Sequence, residues 1–302
     1  MENTVHFFDL LAERTHQKST PLVVGIDPRA KNLPTELAGD LDSKDFAATA
    51  ELFTKFSCEI IDIVSLLVAA IKPQAAFFEQ LGPPGMVALG KVIDHAKSNG
   101  LLVVLDGKRN DIGSTAQAYA EAYLGAGSGW NCDALTINPY MGDDSLQPFI
   151  DRAVQSCSGL FALVKTSNPG SKTFQDLSSN DQTIYQHVAS WVQDAAQQTA
   201  GERGYGVIGA VVGATHPQQL AQLRTAMPNT FFLIPGFGAQ GGKASDIATA
   251  FDSKGGGAIV NSSRGIIFAY ENEQFAGQSS WQKSVEVATL HAIAVLRDNI
   301  PA

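Results

Sequence analysis

Eight short apolar segments recur along this chain: 22–26 (LVVGI), 68–71 (VAAI), 101–105 (LLVVL), 133–137 (DALTI), 160–164 (LFALV), 207–212 (VIGAVV), 231–234 (FFLI) and 258–260 (AIV). They are apolar at successive positions, not alternate ones, which is how strands buried on both faces read. Between them lie stretches with apolar residues three and four apart, at 44–67, 86–98, 113–125, 181–199 and 281–298, with Ser, Asp or Gly near several boundaries. That is the spacing and punctuation of helices. Eight buried strands alternating with helices predict an α/β fold, a (β/α)8 TIM barrel of about 250 residues, with extra terminal helices near 4–16 and 277–299. An open doubly wound sheet is the alternative. No Pro/Ser-rich linker, low-complexity tract or repeat divides the 302 residues, so one domain over 1–302 is expected.

A barrel makes a sharp demand: its chemistry belongs at the C-terminal strand ends and in the loops that follow. Strand one ends in Gly25-Ile26-Asp27-Pro28 and strand two in Lys72-Pro73-Gln74. Strand three ends in Asp106, followed by Lys108 and Asp111, and strand five in Lys165-Thr166-Ser167-Asn168. Strand seven runs into the glycine-rich 235–242, and strand eight into Asn261-Ser262-Ser263-Arg264. Taken singly, each polar residue reads as a solvated turn or a helix cap. A barrel gathers them around one mouth, and two lysines with three acids crowded there are costly unless the charges compensate.

Asp106 and Lys108 are two apart, which in extended chain puts both side chains on one face. Asp111 follows where the chain turns into its helix, and Lys72 comes from the neighbouring strand. An alternating Lys–Asp–Lys–Asp array keeps both ammonium groups protonated. It can hold a charged acid and deliver one proton at a fixed point. No nucleophile is evident, and no His stands where it could act as a general base.

Composition narrows the partners. The net charge is −9 and the pI near 5.1, so the chain lacks the basic face that sequence-independent nucleic-acid binding needs. A small anion can still be held by a local cluster of cations and backbone N–H groups. Cys58, Cys132 and Cys157 are odd in number and far apart, with no CxxC or Cys/His cluster, so neither a disulfide framework nor a metal site is expected. The first residues carry acids without a long apolar run, and no stretch is long enough to span a bilayer. A cytoplasmic protein without membrane contact is the expectation.

Seven segments, in order and at strand ends, carry a resemblance: GIDP (25–28), KPQAAFFE (72–79), LDGKRNDIGSTA (105–116), ALTINPYMG (134–142), VKTSNPG (164–170), VVGAT (211–215) and PGFGAQGG (235–242). The chain resembles the orotidine 5′-phosphate decarboxylase family, in particular its bacterial type 2 subfamily. The resemblance implies cofactor-free loss of CO2 from orotidine 5′-monophosphate (OMP), giving UMP in pyrimidine biosynthesis. It implies that Lys108 donates the proton to C6, that Asp106 and Asp111 flank the substrate carboxylate, and that Lys72 completes the network and touches the ribose. Asp27 would bind a ribose hydroxyl. Ser167 would bind the pyrimidine, with Thr166 beside it as the other candidate. Asp111 and Thr115 would reach into a partner's site, which implies a homodimer with shared active sites.

Gly236–Gly241 also matches GxGxxG, the dinucleotide fingerprint. It falls after the seventh strand instead of the first, and no acidic residue ends the next strand. In a barrel this loop and the next form the usual phosphate cradle. By resemblance Gln240 and Arg264 contact the phosphate, Pro235 joins the substrate-binding set, and the loop at 235–243 closes over the ligand. The rival readings are a Mg2+-dependent sugar-phosphate decarboxylase or aldolase of the same superfamily, a non-catalytic nucleotide-binding barrel, and a dinucleotide-dependent oxidoreductase. The first carries Glu where this chain has Lys72. A degenerate site would lose the charge array that is intact here.

Overall fold

The computed structural model describes residues 6–215, 217–236 and 244–300. The eight expected strands are present as β1 (Leu22–Ile26), β2 (Ala70–Pro73), β3 (Leu102–Arg109), β4 (Ala134–Ile137), β5 (Gly159–Lys165), β6 (Ile208–Val212), β7 (Phe232–Ile234) and β8 (Ala258–Ser262). All pair in parallel, each with its sequence neighbours, and β8 closes on β1. The open-sheet alternative is thereby excluded.

The successive apolar positions divide with a period of two. Leu22, Val24 and Ile26 of β1 face the helices, as do Val103 and Leu105 of β3 and Leu135 and Ile137 of β4. Val23, Leu102, Val104 and Ala134 face the barrel axis. A strand that must be apolar on both faces leaves nowhere for a polar residue except its end, and the polar residues of this chain therefore collect at one rim.

The opposite rim is stoppered. The helix Phe7–Gln17 inserts Phe8 into the barrel floor, stacked on Phe231 at 5.1 Å and edge-on to Phe161 at 5.2 Å between ring centres. Full burial of such a ring contributes about 1.5–3 kcal/mol. Gly159 makes the fit possible, since a Cβ there would stand 2.1 Å from the Phe7 ring. The terminal helix Trp281–Arg297 packs instead on the outer wall, with Trp281 5.4 Å from Phe56 of the helix Phe46–Val64.

Two departures concern the outer layer. The expected helix over 181–199 starts at Ile184, because Gln182–Thr183 pairs with Ser178–Ser179 as a short antiparallel hairpin and Thr183 caps the helix through a reciprocal bond set with Gln186. Helices at Gln147–Ser156 and Pro217–Ala226 were not read from the sequence. Among the described residues, no helix is long and apolar enough to cross a membrane.

Candidate active site

Three adjacent strands build the charged centre. β2 ends in Lys72, only 4% exposed and level with Gly25 of β1. β3 carries Asp106, 8% exposed. The Lys72 ammonium lies 2.6 Å from Asp106 Oδ2, and the Lys108 ammonium 2.5 Å from Asp106 Oδ1. Both expected lysines thus meet on one carboxylate.

Asp106 and Lys108 are two apart, as extended chain on one face would place them, but the chain between them is not plain extended strand. The register of β3 against β4 shifts between Leu105 and Arg109, and Lys108 has φ 48°. That left-handed conformation is disfavoured for a residue with a Cβ and is held only where surrounding bonds enforce it. Here the Lys108 N–H donates to Thr136 Oγ1 (2.9 Å), and the Thr136 hydroxyl donates to Asp106 Oδ1 (3.0 Å). One buried threonine on β4 therefore fixes both the backbone of Lys108 and the carboxylate it faces.

Burial alone would push the Asp106 carboxyl up, but Lys72 and then Lys108 override it and hold it well below the ordinary carboxylate range. Burial likewise opposes the charge on Lys72, and Asp106 together with Asp27 raises it above the ordinary lysine value. The centre is thus ionised throughout, with a single carboxylate shared between two cations and a second acid close by.

Asp27, at the end of β1, accepts from Ser263 Oγ at 2.6 Å through one oxygen, while its other oxygen is buried with no partner among the described residues. Asn261 Oδ1 on β8 is in the same condition. The two strands approach closely here, since a Cβ on Gly25 would lie 2.1 Å from Ser263 Oγ. Buried acceptors that lack donors are what a bound hydroxyl satisfies.

A cavity of about 880 Å3 opens above the centre, lined among others by Lys72, Asp106, Lys108, Thr136, Ser167 and Pro235. Thr166 also lines it, but its hydroxyl is engaged by Asn168 Oδ1 (2.6 Å) and Gln175 Nε2 (2.8 Å). The loop bearing these residues is anchored by Lys165, fully buried, paired with Asp176 and 5.0 Å over the Tyr185 ring. Arg264 opens the short helix Arg264–Ile267 after β8 and lines a neighbouring cavity.

Asp111 does not join the array within its own chain. Its Oδ1 accepts from the Ile112 N–H at 2.8 Å, and Thr115 is exposed on the helix that follows. Gln240 and the glycine-rich loop from 237 to 243 lie outside the described residues. The sequence places Asn261 and Ser263 at the end of strand eight without a role, and it gives Thr136 no role either. The available signal was a polar residue at an axis-facing strand position, two along from Ala134 in the case of Thr136.

The chain matches the orotidine 5′-phosphate decarboxylase / HUMPS family over residues 20–278. It is 54% identical over 274 residues to an orotidine 5′-phosphate decarboxylase of Rhodopirellula baltica, covering 88% of this chain and 91% of that one. It is 41% identical over 278 residues to the enzyme so named in Caldicellulosiruptor bescii, covering 89% and 91%. The structure of Leishmania donovani OMP decarboxylase superimposes with a TM-score of 0.74 at 34% identity, over 97% of this chain and 99% of that one. With a match running across most of the chain and relatives this similar along nearly their whole length, the chain belongs to the orotidine 5′-phosphate decarboxylase / HUMPS family.

Proposed function

We propose that this chain, as one barrel domain, decarboxylates OMP to UMP and CO2 without metal or cofactor, serving pyrimidine biosynthesis in the cytoplasm. The observation that carries the reading is the Lys72–Asp106–Lys108 centre, with both ammonium groups within 2.6 Å of one buried carboxylate. Loss of CO2 from C6 leaves an sp2 carbanion that no π system delocalises. A fixed ammonium beside that carbon stabilises the developing charge and then protonates it. Lys108 is the donor: both lysines line the cavity, but the Lys108 side chain is 45% exposed there and that of Lys72 only 6%.

Asp106 is held ionised where the substrate carboxylate sits, so departure of CO2 relieves a like-charge contact. The barrier reduction asked of such a site is ~20 kcal/mol or more. Binding energy from the remote phosphate has to contribute, through Arg264 and Gln240. Asp27 and Lys72 serve the ribose. Ser167 serves the pyrimidine in preference to Thr166, whose hydroxyl is committed to Gln175 and Asn168. Pro235 closes the cavity on the β7 side.

The active unit is a homodimer with shared sites. Supporting this, Asp111 bonds the Ile112 N–H instead of the array, Thr115 is exposed, and Ile112, Tyr140 and Met141 on the neighbouring loops are 54%, 83% and 48% exposed. Exposed apolar side chains grouped at one rim mark a surface that another protein covers.

The test is CO2 release from OMP, followed by its ultraviolet change, in buffer with EDTA. Turnover unaffected by the chelator is expected. No turnover, or strict dependence on added Mg2+, would overturn the reading. Lys108→Ala should abolish turnover yet still bind UMP, and a variant with near-native kcat would remove Lys108 from its role.

A further inference from the structure

A second cavity, of about 700 Å3, lies beyond the β8 end of the site, and its lining includes Arg29, Lys31, Ser262, Arg264 and His291. Glu271 is the one carboxylate in that lining, and both its oxygens accept from Asn32 Nδ2, at 3.0 and 3.1 Å. Among the described residues, neither Arg29 nor Arg264 is in an ion pair. In a chain of net charge −9, two unneutralised guanidinium groups on one cavity form a local anion site.

Arg29 is the more telling of the two. Its Nε is buried with no hydrogen-bond partner among the described residues, and its guanidinium carbon stands 5.0 Å over the Phe77 ring. The ring orients the planar group and leaves its donors for a ligand. A buried, charged donor without an acceptor is costly, and an anion in the cavity removes that cost.

We propose that Arg29 is a second phosphate-binding guanidinium, acting with Arg264 on the phosphate dianion of the substrate; this rests on the decarboxylase reading above. The β1 loop that bears Arg29 lies in the barrel between the loops after β8 and β2. Phe77, under Arg29, is five residues beyond Lys72, in the short helix Ala75–Glu79 that follows β2. The same arginine that holds the phosphate therefore packs on the short helix that follows Lys72 and ties the remote binding group to the charged centre. Binding energy collected away from the reacting carbon is thereby available to order the site around it.

The experiment compares wild type, Arg29→Ala and Arg29→Lys, each checked for folding by its thermal unfolding curve. Two ligand pairs are used: OMP against orotidine in turnover, and UMP against uridine in calorimetric titration. Arg29→Ala should lower kcat/KM for OMP and affinity for UMP by about 10- to 100-fold, as loss of a charge-assisted hydrogen-bond pair does. Orotidine turnover and uridine binding should stay within about twofold, and Arg29→Lys should recover part of the loss. Equal losses with and without the phosphate would make Arg29 structural and overturn the proposal, as would undiminished UMP affinity in Arg29→Ala. Should wild type fail to turn over OMP, the decarboxylase reading falls by itself, and the UMP and uridine titrations still decide the role of Arg29.

Discussion

Asp106→Asn keeps the shape of the centre and removes its only shared negative charge. The Lys72 and Asp106 side chains are 6% and 11% exposed, and the lost contact is 2.6 Å long. Removing one partner of a buried pair costs about 3–5 kcal/mol, because the other charge stays buried and unpaired. The lower end applies, since Asp27 still acts on Lys72. At ~2.1 cal/mol/K per residue, unfolding 302 residues carries an entropy of roughly 0.6 kcal/mol/K. A loss of ~3 kcal/mol therefore lowers Tm by about 5 °C.

The pH dependence gives the sharper signature. In the native protein Lys72 is raised, so its contribution is fully present below its unfolded value of about 10.4 and is lost as pH rises through the folded one. In Asp106→Asn burial dominates and the folded value drops below 10.4, so the variant regains stability as pH rises toward that point. On the acid side, Asp106 is depressed, so its contribution is present above about 3.9 and is lost as pH falls through the folded value. The difference in Tm between the two proteins should be widest near neutrality and narrow in both directions. Calorimetric unfolding from pH 3 to 10 at fixed protein concentration measures it, with Lys72→Met added to Asp106→Asn as a control that should recover most of the loss. A difference that stays constant across the range, or a double variant no more stable than Asp106→Asn, would refute the reasoning.

Thr136→Val removes the hydroxyl that joins Lys108 N–H to Asp106. Steady-state kinetics should give a kcat lower by about 10- to 100-fold with KM little changed, and Thr136→Ser should restore it to within about threefold; a serine variant as poor as the valine one would assign the loss to packing. Mixing inactive Lys108→Ala with inactive Asp111→Ala should regenerate activity, since one site of each hybrid dimer is then intact. With free exchange of subunits the recovery is about a quarter of the native rate. A mixture that stays inactive after exchange would place both residues in one chain's site.

Much of the site was legible because barrel topology converts linear order into proximity. Lys72, Asp106 and Lys108 stand just after or within apolar runs, and closing the barrel brings those ends onto one rim. Residues that act through shape left little trace. Phe8 reads as one more apolar residue of an amphipathic helix, and only the closed floor makes it a stopper against Phe161 and Phe231. Arg29 reads as a surface arginine after a proline until Phe77 is seen beneath it. Lys165 sits at a strand end like Lys72, yet Asp176 and Tyr185 draw it out of the site.

The pattern of eight doubly apolar strands alternating with helices by itself determined a parallel α/β fold, because such strands need cover on both faces. A closed barrel and an open doubly wound sheet both provide it, and the pairing of β8 with β1 decided between them. The same pattern left the strand ends as the places for charge. The tertiary structure decided how that charge is held. It shifted the register of β3, placed Lys108 at φ 48° and set Thr136 between Lys108 and Asp106. These depend on contacts between strands some thirty residues apart in sequence, and hydrophobic periodicity records where a side chain is buried but not which neighbour it meets.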